Sequence, residues 1–198
     1  ARLLEAVTVM RALWRGDEVT HAGLFHVQRA RLYSLPATPP PVYIAALSED
    51  TARWAGAWAD GLITVNLPLD TLRRVLDAFR EGGGAGKPVC LQVKVSYDLD
   101  DASALAGAHE QWRTNVFGSD VSAGLRMPSQ YDAAARFVRP EDMHDFVRIS
   151  SDPQRHAAWL HEYASLGFDR IYLHNVNRQQ ERFIDAFGDL LPKLRQSL

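Results

Sequence analysis

CLQVKVSY, residues 90–97, alternates without a break: Leu91, Val93 and Val95 fall on one parity, Gln92, Lys94 and Ser96 on the other. Successive side chains of an extended chain point to opposite faces, so this run is a strand with one apolar and one polar face. A strand in an open parallel sheet covered by helices on both sides reads as a continuous apolar run instead. A barrel strand packs its apolar face on outer helices and carries polar side chains inward, toward the end where active sites gather, and this alternation suits it. Working outward, three further β-branched or aromatic runs stand at VYIAA (42–46), GLITV (61–65) and RIYLHNV (170–176). Helical spacing follows each run: Ala52, Ala55 and Trp58; Leu72, Val75, Leu76 and Phe79; and, at the end, Phe183, Phe187, Leu190 and Leu194. After the 89–97 strand comes a longer helical stretch with Leu105, Trp112 and Val116, then short helices opened by Pro128, Pro140 and Pro153. Strand and helix in alternation mean a parallel sheet with right-handed crossovers. The expected fold class is therefore α/β, with four strands that make half of a TIM-type (β/α)8 barrel and a helical insertion before the last of them.

The rest of the chain falls around those units. Residues 1–41 read as a helix and a loop ending in a Pro-rich connector, 42–98 as three strand–helix units, 99–169 as the helical excursion, and 170–198 as the last strand and helix. Leu3, Val7, Met10 and Trp14 follow helical spacing from the first residues with no capping side chain ahead of them. The helix is thus expected to begin in mid-course, and the chain to be the C-terminal part of something longer.

Just before the deciding strand stands FREGGGAGKP (79–88), which invites a reading as a phosphate-cradling loop. That loop needs Gly, four residues, then Gly-Lys-Ser/Thr, placed between a strand and a helix. Here Glu81 holds the first glycine's place and Pro88 the hydroxyl's, and the order is helix, glycines, strand. The glycines instead end a helix and turn the chain. Any phosphate site is expected elsewhere, with 82–87 at the N-terminal end of the strands. The dinucleotide pattern Gly-x-Gly-x-x-Gly is also missing after the first strand, where the sequence is YIAALSEDTARWAG.

Composition narrows the function classes. At 198 residues, 46% hydrophobic and 23% charged, the chain is one globular domain with material for a sizeable core. A net charge of -2, without a basic helix face, argues against nucleic acid. No run approaches membrane-spanning length. The single cysteine, Cys90, fits a reducing, cytoplasmic compartment. The seven histidines show no metal-ligand spacing; His156 and His161, five apart, do not share a helix face well, and no metal is expected.

Several stretches together carry a family resemblance. LLEAVTVMRALWRGDEVTHAGLFHVQRARLYSLPATPPPVYIAA, TARWAGAWADGLIT, QVKVSYD and GFDRIYLHNV resemble the second half of the luciferase-like flavin oxidoreductases and monooxygenases. The similar branch includes deazaflavin-dependent sugar-phosphate dehydrogenases and FMN-using relatives, and HEQWRTNVFGS and DAAARFVRPEDM point to the FMN-using side. The resemblance implies an eight-stranded barrel of which these are the last four strands. It further implies FMN, or alternatively the deazaflavin coenzyme F420, held at the C-terminal strand ends, with hydride passing between its ring and a small-molecule substrate. Partners implied are a second copy of the chain, as a homodimer, or the other half of the barrel. A non-catalytic half barrel that binds flavin or a partner chain is the rival reading.

By this likeness the cofactor phosphate rests at the start of the helix after the fifth barrel strand, here AALSEDTARWAG. Ser48, Thr51, Trp54 and Ala55 match a Ser-x-x-Thr-x-x-Trp-Ala pattern of bacterial luciferase. Backbone N–H groups near Ala46, Leu47 and Ser48, the Ser48 and Thr51 hydroxyls and the helix dipole would converge on the phosphate. Ser48 is equally an ordinary N-cap, and Glu49 and Asp50 would oppose an anion they faced. Lys94 is an inward lysine suited to an anionic group, or to a buried ion pair. His174, ending the last strand, is the candidate catalytic proton donor or polar contact, or else a histidine bonded to a loop. Asn66, Arg113 and Arg148 are candidate substrate contacts, and Tyr97 is positioned similarly. Val65 and Pro68 occupy the places where the sugar-phosphate dehydrogenases put a threonine and a lysine, which speaks against glucose 6-phosphate.

Overall fold

The structure, a computed structural model, describes residues 1–197, with side chains to residue 194. Helix α1 (Arg2–Trp14) leads into an antiparallel hairpin, β1 (Val19–Ala22) and β2 (His26–Ala30). Then follow β3 (Tyr43–Ala45), α2 (Glu49–Gly56), β4 (Gly61–Val65), α3 (Leu69–Phe79) and β5 (Val89–Ser96). The excursion holds α4 (Asp101–Trp112), α5 (Ser119–Gly124), α6 (Pro128–Ala135) and the two-residue β6 (Arg148–Ile149). Helix α7 (Pro153–Ala164), β7 (Arg170–Asn175) and α8 (Gln180–Ser197) complete the chain. All four expected strands form, and Pro128 and Pro153 open helices as their fixed φ favours. The hairpin and β6 add to what the sequence suggested. Both are short and polar, and no apolar alternation announces them.

Strands β3, β4, β5 and β7 run parallel in that spatial order. β7 pairs with β5 from Cys90↔Arg170 to Val95↔Asn175, whereas β4 ends at Val65↔Gln92. β6 takes up the vacated stretch of β5, pairing Val95↔Arg148 and Ser96↔Ile149. The register sorts side chains into two faces. Leu62, Leu91, Val93 and Val95, each at most 1% exposed, turn toward the helices. Leu62 packs with Ala52, Val75, Leu76 and Phe79, and the β5 trio packs with Leu72, Leu160, Tyr163, Phe187 and Leu190. Each such side chain contributes about 1.5–3 kcal/mol by leaving water. Tyr97 continues this parity and packs edge-on against Phe187, ring centroids 5.7 Å apart, so it belongs to the helical side.

The opposite face carries Tyr43, Ala45, Ile63, Val65, Gln92, Lys94, Tyr172 and His174 by register. No helix layer seals it: Ala45 is exposed, Tyr172 is 46% exposed, and the others are half-buried. Gln92 and Lys94 thus lie on the face away from the helices, as their parity predicts. Ser96 does not, although its parity is theirs. Helix α4 covers it completely, and its hydroxyl donates to the Ala104 carbonyl at 2.6 Å. The sheet does not close on itself; β3 and β7 keep one open edge each among the described residues.

The glycine stretch stands at the N-terminal end of β5, as expected, but it does not simply end α3. The helix runs on as a π-helical turn over Arg80–Gly84, with Gly83 at φ 102°. A side chain at Gly82 would put its Cβ 1.9 Å from the Arg53 carbonyl oxygen, and one at Gly56 would meet the Phe79 carbonyl at 2.4 Å. Here glycine allows backbone to lie on backbone where α2 crosses the end of α3. Lys87 donates to the Gly56 carbonyl at 2.6 Å, satisfying a C-terminal carbonyl of α2. Gly82→Ala is expected to cost about 3 kcal/mol, because both contacting groups are main chain and neither can yield. Lys87→Ala should cost only about 1 kcal/mol. Urea midpoints at constant m would check the order of the two.

Candidate functional site

Two groups of side chains stand at the C-terminal ends of the parallel strands. The first is the start of α2. Ser48, with extended backbone (φ -126°, ψ 152°), is the N-cap: its Oγ accepts from the Thr51 N–H at 3.4 Å and donates to Thr51 Oγ1 at 3.0 Å. The Ala46 N–H is committed to the Ile63 carbonyl in the sheet. The N–H groups of Leu47, Ser48, Glu49 and Asp50 have no acceptor among the described residues. They border an open depression of about 310 Å³ lined by Leu47, Ser48, Glu49, Asp50, Thr71 and Val75. Glu49 is drawn toward α3, where Arg74 donates to its Oε1 at 2.8 Å, and a guanidinium so placed offsets the carboxylate's repulsion of an anion. Open N–H donors, two hydroxyls and the positive end of a helix fit a phosphate, and these residues could hold that of a flavin or deazaflavin.

The second group is on the uncovered sheet face. His174 pairs in register with Lys94, and its Nδ1 lies 3.2 Å from Gln92 Nε2. The Trp112 ring, at the end of α4, meets the imidazole edge-on, centroids 5.0 Å apart at 86°. Lys94 is half-buried, and no carboxylate or other acceptor reaches its ammonium among the described residues. Burial pushes it below the ordinary lysine range. Gln92 and Trp112 are the members that sequence reasoning missed as site residues. The signal for Gln92 was present: it shares the parity of Lys94 two residues away. Trp112 was read as helix core, and nothing in the sequence shows that it reaches a strand residue 62 positions further on.

The other candidates do not add an open side chain to either group, and Asn66 meets the second only through the Lys94 main chain. Asn66 has both ends of its amide engaged: Oδ1 accepts from the Lys94 N–H at 3.0 Å and Nδ2 donates to the Phe146 carbonyl at 3.1 Å. Arg148 sits on the helical face, where its Nε donates to the Tyr163 hydroxyl at 2.9 Å and its guanidinium lies 5.8 Å from the Trp159 ring centre. Arg113 is exposed beyond α4, with no partner among the described residues. At the same end Asp98, 5% exposed, binds Arg182 of α8 and Asn177, tying β5 to the turn after β7. Burial alone would raise its carboxyl, but the Leu99 N–H and the Arg182 guanidinium hold it below the usual range. Among the described residues no cluster of metal-ligating side chains occurs, and no helix is long and apolar enough to cross a membrane.

A parallel α/β sheet sealed by helices on one side, with polar groups and a capped helix start at its C-terminal edge, is built like the enzymes of the luciferase-like TIM-barrel class. Residues 1–170 match the luciferase-like monooxygenase family, and the chain belongs to that family. It is 32% identical over 208 residues to an F420-dependent glucose-6-phosphate dehydrogenase of Nakamurella multipartita, covering 98% of this chain and 60% of that protein. With the same-named protein of Intrasporangium calvum the identity is 33%, over 98% of this chain and 61% of the relative. The fold superposes on an F420-dependent secondary alcohol dehydrogenase, in complex with an F420-acetone adduct, with a TM-score of 0.85 and 25% identity. That match covers 96% of this chain and 60% of the other. The chain therefore spans about 60% of the length of these relatives.

The unpaired ammonium of Lys94 has a consequence for stability. Its proton is held less tightly in the folded chain than in the unfolded one, so the cost of burial is full at neutral pH and lapses as pH rises toward the ordinary lysine value of about 10.4. Lys94→Met is expected to raise the melting temperature at pH 7 by roughly 2–4 °C, with the gain shrinking at alkaline pH. Thermal melts at several pH values would check it, and a loss of stability would show that the ammonium has an anionic partner in the folded protein.

Proposed function

We propose that this chain forms the cofactor-phosphate site and one wall of the reaction chamber of an oxidoreductase that moves a hydride between the deazaflavin coenzyme F420 and a small-molecule substrate. The observation that carries this reading is the coincidence, at one end of one sheet, of an open helix N-terminus with hydroxyls and an uncovered polar face bearing His174 and Lys94. Its support from relatives is that those matched over nearly the whole chain are named F420-dependent dehydrogenases. FMN, which the resemblance put first, would present the same phosphate to the same helix, and deazaflavin takes precedence here because of those names. When bound, the coenzyme supplies the hydride donor or acceptor. Ser48, Thr51 and the α2 N–H groups anchor its phosphate. Arg74 offsets Glu49, Lys94 offers positive charge to an anionic group, and His174 offers a hydrogen bond at the strand ends. Val65 is half-buried and Pro68 caps α3, so neither supplies the polar or cationic contact that a sugar phosphate would meet in the named relatives, and we favour a different substrate.

The same reading makes the sheet one half of a barrel. Parallel sheets are ordinarily covered on both faces, yet this one leaves Tyr43, Ile63, Val65 and Tyr172 without a facing layer and two edges unpaired. The remaining strands come from further polypeptide or from a second copy in a dimer. Light scattering on the 198-residue chain tests this: a cooperative monomer that binds neither cofactor nor partner would remove the half-barrel reading.

Function is tested on the complete gene product by the absorption spectrum of what copurifies, followed by titration of the apoprotein with F420 and with FMN. Ser48→Ala and Thr51→Ala should each weaken binding about tenfold or more, the loss of one hydroxyl donor to a charged group being worth about 1.5–3 kcal/mol. Normal binding by both variants would reduce Ser48 to a cap. Binding without turnover of any alcohol or carbonyl compound would favour the non-catalytic half barrel.

A further inference from the structure

His174 is held by groups that dictate where its proton sits. Its Nδ1 faces the side-chain nitrogen of Gln92 at 3.2 Å, and a primary amide nitrogen can only donate. The ring nitrogen on that side must then be an acceptor, which leaves the proton of the neutral imidazole on Nε2. The Trp112 ring meets the imidazole edge-on, and Lys94 stands opposite in register on the neighbouring strand. Nε2 itself has no partner among the described residues. We propose that Gln92 is a positioning residue that locks His174 in the Nε2–H tautomer, so that the histidine presents a fixed N–H donor to the oxygen of a carbonyl or alcohol substrate.

The proposal rests on the reading of the uncovered face as the reaction chamber and sharpens it. A carbonyl oxygen gains negative charge as hydride reaches its carbon, and a donor already aimed at that oxygen stabilises the change without reorganising. The same N–H stabilises the same charge on oxygen in the reverse direction, and His174 keeps its proton throughout the hydride step.

The test reads the tautomer directly. In the complete protein labelled with ¹⁵N-histidine, two-bond ¹H–¹⁵N correlation spectra distinguish Nε2–H from Nδ1–H, and His174→Gln identifies which signal belongs to this residue. The expected result is the Nε2–H pattern in the parent. In Gln92→Glu, whose carboxylate can only accept while ionised, the proton moves to Nδ1. Gln92→Leu should show a mixture of tautomers and lower the hydride-transfer rate about tenfold with coenzyme affinity unchanged, as expected when an orienting partner is lost. An Nδ1–H pattern in the parent, or a tautomer unaffected by both Gln92 variants, would overturn the proposal. Failure of the protein to bind any flavin or deazaflavin would instead strike the functional reading, since the tautomer is observable without a ligand.

Discussion

Everything in this molecule is organised by the two-faced pairing of β5. It lies between β4 and β7, and its register with both decides which side chains of all three strands meet the helices and which meet the open side. A slip of one residue would carry Leu91, Val93 and Val95 out of the core and bury Gln92 and Lys94 in their place. The apolar cost of such a slip, three side chains at about 1.5–3 kcal/mol each, is comparable to the whole stability of an ordinary domain. The polar face is therefore not tuned residue by residue. It is held in place by the apolar face behind it, and His174 stands beside Lys94 because Leu173 stands beside Val93.

The helix end that fits a phosphate is held in place in a comparable way. Its far end is fixed by contacts of main chain on main chain at Gly56 and Gly82 and by Lys87. Its near end is left with N–H groups open. A helix anchored at its C-terminus, with N–H groups still open in its first turn beside the Ser48 cap, keeps its dipole and donors aligned before any ligand arrives, which reduces the ordering cost of binding. The glycines that look like a phosphate loop thus fix the helix whose other end could receive a phosphate.

Strands were legible in the sequence wherever burial imposed a pattern. GLITV and CLQVKVSY lie within a residue or two of β4 and β5 because their apolar positions face a helix layer, and α3 shows its buried Leu72, Val75, Leu76 and Phe79 at helical spacing. The hairpin β1–β2 was not legible, since its residues are mostly exposed and no core demands a period from them. Ser96 escaped its parity because coverage by α4 depends on where a crossover lands, which local sequence does not encode. The site was legible in the same measure. Ser48 as a cap and Lys94 as a lysine on the face away from the helices follow from local rules. Arg148 looked like Arg113 in sequence, and only the fold shows one laid on Trp159 and the other in solvent. The pairing of Gln92 with His174 spans 82 positions and exists only once β5 and β7 are side by side.

Asn66 carries a consequence of a different kind. Where β4 stops, the amide of this residue takes the Lys94 N–H on one side and gives a hydrogen to the Phe146 carbonyl on the other, bridging the gap before β6 begins. It is a splice, joining two lengths of edge with a side chain in place of main chain. Along the sheet edge the segment between β5 and β6 is joined by a two-residue strand and this one amide, while the packing of α4 over Ser96 holds it from the side. Main-chain pairing therefore sets only the last two residues of that segment, and its path is decided by the side-chain packing of α4 and not by the register of the strands beneath.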